Sequence, residues 1–125
     1  MRLPKDLVAA SAAPMVLGIL ADGESYGYAI LQRVRELSGG QIEWTDGLLY
    51  PLLHRLEEQA QVEASWETSD SGRKRKYYRI TTAGRSALAD HQRQWRAVID
   101  ALGETWGDVA QAVARGTRPR EGMAT

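Results

Sequence analysis

Residues 62–81 read Val62-Glu63-Ala64-Ser65-Trp66-Glu67-Thr68-Ser69-Asp70-Ser71-Gly72-Arg73-Lys74-Arg75-Lys76-Tyr77-Tyr78-Arg79-Ile80-Thr81. In the first part Val62, Ala64 and Trp66 alternate with Glu63, Ser65 and Glu67, the period of two expected of a half-buried strand. In the last part, Lys76 to Thr81, Tyr78 and Ile80 fall on one face and Tyr77 and Arg79 on the other. Asp70, Ser71 and Gly72 between them are turn formers. The stretch therefore predicts a β-hairpin whose tip and returning strand carry Arg73, Lys74, Arg75, Lys76 and Arg79 with no acid among them.

What flanks the hairpin decides how that charge is read. Immediately before it, Leu48, Leu49, Leu52, Leu53 and Leu56 form a broad apolar stripe on a helix that Thr45 or Asp46 can cap. Because the leucines take the buried side, Tyr50, Pro51, His54 and Arg55 are left toward the outside. Pro51 in the second turn costs a hydrogen bond and predicts a local bend. Further back, Ile30, Leu31, Val34 and Leu37 keep helical spacing, with Ser25 as the expected N-cap and Gly39-Gly40 as the stop. A first helix covers much of Leu7 to Ala21, with Pro14 marking either a kink or a restart.

After the hairpin, Thr81 or Thr82 caps a long helix running to about Gly107, with Leu88, Trp95, Ile99, Leu102 and Trp106 along one side. Val109, Ala110 and Val113 fit a short continuation, and residues 116–125 read as a disordered tail. The order of three helices, a basic hairpin and a long helix predicts an α+β, mostly α, winged helix-turn-helix. Residues 1–81 form the expected DNA-binding domain and residues 82–115 a C-terminal dimerisation helix.

At 125 residues the chain can bury one core. Its 16 basic and 16 acidic residues cancel, which by itself argues against a nucleic-acid partner. The distribution argues otherwise, since acids predominate from Glu24 to Asp70 and the basic residues then arrive together. A local patch is what phosphates feel. The absence of cysteine excludes disulfides, thiolate zinc sites and cysteine nucleophiles and fits a reducing compartment. The apolar stretch Leu7 to Ala21 is too short to span a bilayer and makes a poor signal peptide with Asp6 beside Lys5, so a cytoplasmic protein is expected. An enzyme finds little to stand on. His54 and His91 lie on different helices without a constellation of ligand spacing, and no glycine-rich phosphate loop occurs. Neither a metal nor a cofactor is expected.

Three strings resemble the PadR family of bacterial transcriptional regulators, over most of the chain from about Leu7 to Leu102. Ser25-Tyr26-Gly27-Tyr28-Ala29-Ile30 is similar to the family's opening of helix two, and Gly47-Leu48-Leu49-Tyr50-Pro51-Leu52-Leu53-His54-Arg55-Leu56-Glu57 to its recognition helix. Gly72-Arg73-Lys74-Arg75-Lys76-Tyr77-Tyr78-Arg79-Ile80-Thr81 with Gly84 is similar to its wing. Each string sits on the element already assigned to it, and that agreement makes the match specific. Ala60 stands where the family commonly has glycine, so a left-handed cap there would cost roughly 1 kcal/mol.

The resemblance implies a homodimeric repressor of double-stranded operator DNA that is released by a small aromatic effector. The rival reading is a winged-helix module that binds another protein and not DNA. Expected DNA contacts are Thr45, Tyr50, Pro51, His54 and Arg55 on the recognition helix and Arg73, Lys74, Arg75 and Lys76 on the wing. Tyr26 and Tyr28 open helix two, where they either face phosphate at the positive end of the helix or pack in the core. Trp44 and Trp66 read as structural. Leu88, Trp95, Ile99, Leu102 and Trp106 are the expected dimer interface, and Trp95 either lines an effector site there or fills the interface.

Overall fold

The computed structural model describes residues 3–107. In chain order the elements are α1 (Lys5–Ala21), β1 (Ser25–Tyr26), α2 (Gly27–Leu37), α3 (Asp46–Glu58), β2 (Val62–Thr68), β3 (Lys74–Ile80) and α4 (Thr82–Trp106). Val109, Ala110, Val113 and the 116–125 tail lie outside the described residues. The chain divides after Leu88 into two compact units.

The first unit is built on three helices that each contribute one apolar face to a shared core. Val16, Leu17 and Leu20 come from α1, Ile30 and Val34 from α2, and Leu49, Leu52, Leu53 and Leu56 from α3. The sheet closes it with Val62, Tyr78 and Ile80, and Trp44 packs in from the α2–α3 loop. Each fully buried aliphatic side chain contributes roughly 1.5–3 kcal/mol relative to exposure, so this core holds the three helices and the hairpin as one body. Pro14 neither stops nor restarts α1, which runs unbroken through it. Gly39 and Gly40 end α2 at φ 62° and 85°, the left-handed region glycine reaches without a Cβ clash.

The sheet has three antiparallel strands in the order β1-β3-β2. The hairpin register pairs Val62 with Ile80, Ala64 with Tyr78 and Trp66 with Lys76. Two expectations change here. Ser25 does not cap α2: Ser25 and Tyr26 form β1 and pair with Tyr78 and Tyr77, and Tyr26 becomes the residue before the helix, with no side-chain cap bond. Trp66 keeps the parity of Val62 and Ala64 yet is 68% exposed, because β2 outruns the helices that cover its first residues.

The corner between α3 and β2 locks the hairpin to the start of α4. Ala60 adopts φ 59°, and the Ala60 and Gln61 amides donate to Glu57 and Leu56 carbonyls at 3.0 and 2.9 Å, closing the helix end with a Schellman pair of bonds. The Thr81 hydroxyl donates to the Ala60 carbonyl at 2.6 Å and accepts the Gly84 amide at 3.0 Å, so Thr81 rather than Thr82 caps α4. Any side chain at Gly84 would collide with the Gln61 carbonyl. Ala87 and Leu88 then pack against the core of the first unit.

The second unit contains the rest of α4. Trp95, Ile99 and Leu102 are half-buried and follow one another at intervals of four and three, while Trp106 is exposed. Asp90 and Arg93 pair along the helix, and Gly107 turns out of it at φ 79°.

Candidate nucleic-acid interface

Helix α3 starts cleanly because the Thr45 hydroxyl accepts the Leu48 amide at 3.2 Å. From that start the leucine stripe turns inward and leaves Tyr50, Pro51, His54 and Arg55 exposed, as expected. His54 Nε2 lies 3.5 Å from the Glu58 carboxylate one turn on. Tyr50 leans across the first residue of α2, where a side chain on Gly27 would collide with its phenol. Gly27 is thus a close-approach glycine that fixes Tyr50 against the α2 N-terminus.

The two tyrosines flanking Gly27 part company. Tyr26 is half-buried, meets Tyr77 edge-on with ring centroids 5.4 Å apart, and carries the Arg75 guanidinium 4.3 Å above its ring. Such a stack orders both the arginine and the start of β3. Tyr28 is exposed, and its hydroxyl accepts a hydrogen bond from Gln32 Nε2 at 2.9 Å.

The basic cluster likewise separates into distinct environments. Arg73 and Lys74 are exposed and make no ion pair among the described residues. Lys76 pairs with Glu57 of α3 at 3.6 Å and lies 5.6 Å from the Tyr78 ring centroid, bridging helix and wing. Arg79 is held by Glu63 at 3.2 Å across the hairpin and by Glu24 at 3.8 Å. Burial pushes the Tyr78 phenol above its ordinary value of 10.0, helped by the nearby Glu57 carboxylate and by Tyr50.

Between wing and helices lies an open groove of about 480 Å³. Tyr26, Tyr28 and Tyr50 line one part of it and Trp66 and Arg73 through Lys76 another, with Gly27 and Tyr78 completing the lining. Of the expected contact residues, Pro51, His54 and Arg55 lie on the exposed side of α3 outside this groove, and Thr45 at its N-terminus. Trp66, Gly27 and Glu57 were not expected at the site. Leu88, expected on a dimer face, is half-buried against the core of its own chain. Among the described residues no group of three or more His, Cys, Asp or Glu could hold a metal ion, and no helix is long and apolar enough to cross a membrane.

Known proteins share this fold. Residues 16–90 match the model of the transcriptional regulator PadR-like family. The chain belongs to the PadR-like family of transcriptional regulators. It is 35% identical over 102 residues to the transcriptional regulator Rv3488 of Mycobacterium tuberculosis, covering 82% of this chain and 89% of that one. The crystal structure of a PadR family transcriptional regulator from Eggerthella lenta is 30% identical with a TM-score of 0.70, over 82% of this chain and 88% of that chain. A PadR-like transcriptional regulator from Bacillus cereus is 25% identical with a TM-score of 0.73, over 82% and 98%. The winged helix-turn-helix with its long C-terminal helix is the fold of these PadR-like structures. The family consists of DNA-binding regulators of transcription and not of enzymes.

Proposed function

We propose that this PadR-like chain is a homodimeric repressor whose α3 reads the major groove of an operator, whose wing grips flanking phosphates, and whose α4 makes the dimer. The observation that carries the reading is the pairing of two exposed surfaces on one unit. On α3, Tyr50, His54 and Arg55 stand clear of the leucine stripe, and on the wing Arg73 and Lys74 have no acidic partner among the described residues. An α-helix fits the major groove, and an unpaired cation beside it can release counterions from DNA without first breaking an ion pair.

A twofold dimer selects an inverted repeat with half-sites about one helical turn, ~10 base pairs, apart or a multiple of that. Tyr50→Ala or His54→Ala then changes which bases are preferred. Arg73→Ala and Lys74→Ala weaken binding to all sequences alike and flatten the dependence of log affinity on log salt by ~0.9 for each phosphate no longer neutralised. Sequencing the genomic fragments that the purified protein retains, followed by a salt titration on the enriched site, checks both. Retention of no fragment would leave the rival, a winged-helix module for another protein, in possession. The chain is also proposed to work in the cytoplasm and to leave its operator when a small aromatic effector binds.

A further inference from the structure

Along β2 the side chains on the inner face go from Val62, 2% exposed, through half-buried Ala64 to Trp66, 68% exposed. The core ends before Trp66, so its indole is left mostly in solvent. A large apolar side chain left in water is informative when it lies on a surface built for something else. Trp66 lies in the groove whose other lining includes Tyr28 and Tyr50 from the helices and all four wing cations, Arg73 through Lys76. It pairs with Lys76 across the hairpin, while Lys74 pairs with Thr68. Trp66 and Lys74 are therefore diagonal neighbours, ~7–8 Å apart at the backbone, within mutual reach of two long side chains.

We infer that Trp66 is a DNA contact of the wing, its indole lying flat on the deoxyribose of the strand whose phosphates Arg73 and Lys74 hold, just outside the bases read by α3. This rests on the DNA-binding reading and adds to it a residue of different chemistry. Charge complementarity selects the occupant. Four cations line the groove; Lys76 is bound to Glu57 and Arg75 stacks on Tyr26, while Arg73 and Lys74 make no ion pair among the described residues and are left to meet an anion. A polyanion with apolar faces between its charges matches this lining. The ammonium and guanidinium groups take the phosphates, the indole covers the sugar between them, and the indole N–H remains free to donate to a phosphate oxygen. A second copy meeting this groove wing to wing across a twofold axis would have to bury Arg73 and Lys74 cation on cation.

The two kinds of contact separate by salt. Removing a cation lowers affinity and flattens the salt dependence, whereas removing an uncharged aromatic lowers affinity at every salt concentration with the slope kept. In the full-length protein, Trp66→Ala is expected to weaken operator binding about fivefold, the low end of the range for an aromatic stacked on a base because a sugar offers a smaller face, with slope and melting temperature unchanged. Trp66→Phe should recover most of that affinity. Operator DNA should shield one tryptophan of the native protein from acrylamide quenching, and that shielding should be missing in Trp66→Phe. If Trp66→Ala binds operator as tightly as the native protein with the same shielding, the inference is overturned while the DNA-binding reading stands. A change in sedimentation of Trp66→Ala would also overturn it, by assigning the indole to contact between copies. Failure of the native protein to bind any fragment would remove both together.

Discussion

Ala60 holds a left-handed φ of 59°, a conformation in which its Cβ crowds the neighbouring carbonyl. Three bonds hold it there, the Ala60 amide to Glu57, the Gln61 amide to Leu56 and the Thr81 hydroxyl to the Ala60 carbonyl, and all would survive in a glycine. Ala60→Gly is therefore expected to stabilise the protein by about 0.5–1 kcal/mol, the relief of the strain less the extra freedom glycine has when unfolded. A rise in the denaturation midpoint at unchanged slope would show it. Tyr78 makes a second prediction through pH. Its phenol titrates higher in the folded than in the unfolded chain, mainly through burial, so folding favours the protonated form. The associated stability is complete below pH 10.0, its ordinary value, and is lost as pH rises from there through the raised folded value. Tyr78→Phe has no proton to lose and should unfold less readily with alkali than the native protein, as pH-dependent melts above pH 9 would reveal.

At the scale of elements, α3 and the wing are joined by the Glu57–Lys76 pair and by Tyr78, which packs in the core beneath Lys76. The pair is about one-third exposed on each side, so its direct worth is under ~1 kcal/mol. Its consequence is geometric, since it holds the wing to α3. Lys76→Ala should weaken operator binding with little change in salt slope, unlike Arg73→Ala or Lys74→Ala, and the reversed pair Glu57→Lys with Lys76→Glu should recover part of the affinity. A slope that falls by ~0.9 in Lys76→Ala would make Lys76 a phosphate contact instead. Which cations are occupied was not legible in the sequence. Arg79 stands beside the other basic residues along the chain, but its partner Glu63 is brought opposite by the hairpin register and Glu24 by the loop before β1. Helices and leucine faces were legible because their spacing is local and repeats. Strand β1 was not, because two residues carry no period and Ser25-Tyr26 becomes a strand only through pairing with Tyr77 and Tyr78. Parity put Trp66 with Val62 and Ala64 correctly. How far the helices extend over that face is a property of packing, and it makes Trp66 a surface residue.

For the whole molecule the open question is what covers the second half of α4. Trp95, Ile99, Leu102 and Trp106 recur at four, three and four residues, the spacing of a seam between two helices, and Trp106 is 64% exposed in the single chain. A twofold partner presenting the same seam would cover it. Truncation before His91 is accordingly expected to give a monomer by sedimentation, and a dimeric truncation product would place the interface elsewhere. Within such a seam Trp95 has two alternative duties that differ in their consequences. Two symmetry-related indoles can sandwich a planar aromatic effector, since each offers a wide apolar face at small conformational cost. Alternatively the indole only fills the interface. A lining residue replaced by alanine should leave a dimer that still binds operator but no longer releases it when ligand is added. A packing residue should cost the dimer ~3–5 kcal/mol if fully buried there. Release is the decisive reading, because a ligand shifts the DNA-binding equilibrium only as far as it distinguishes the two states, and tight binding without release would not make it an effector. Planar aromatics titrated against operator-bound native protein, Trp95→Ala and Trp106→Ala, with release followed by fluorescence anisotropy of labelled DNA, separate the cases. The effector role predicts release from the native protein and from Trp106→Ala but none from Trp95→Ala, and equal release from all three would remove Trp95 from the site.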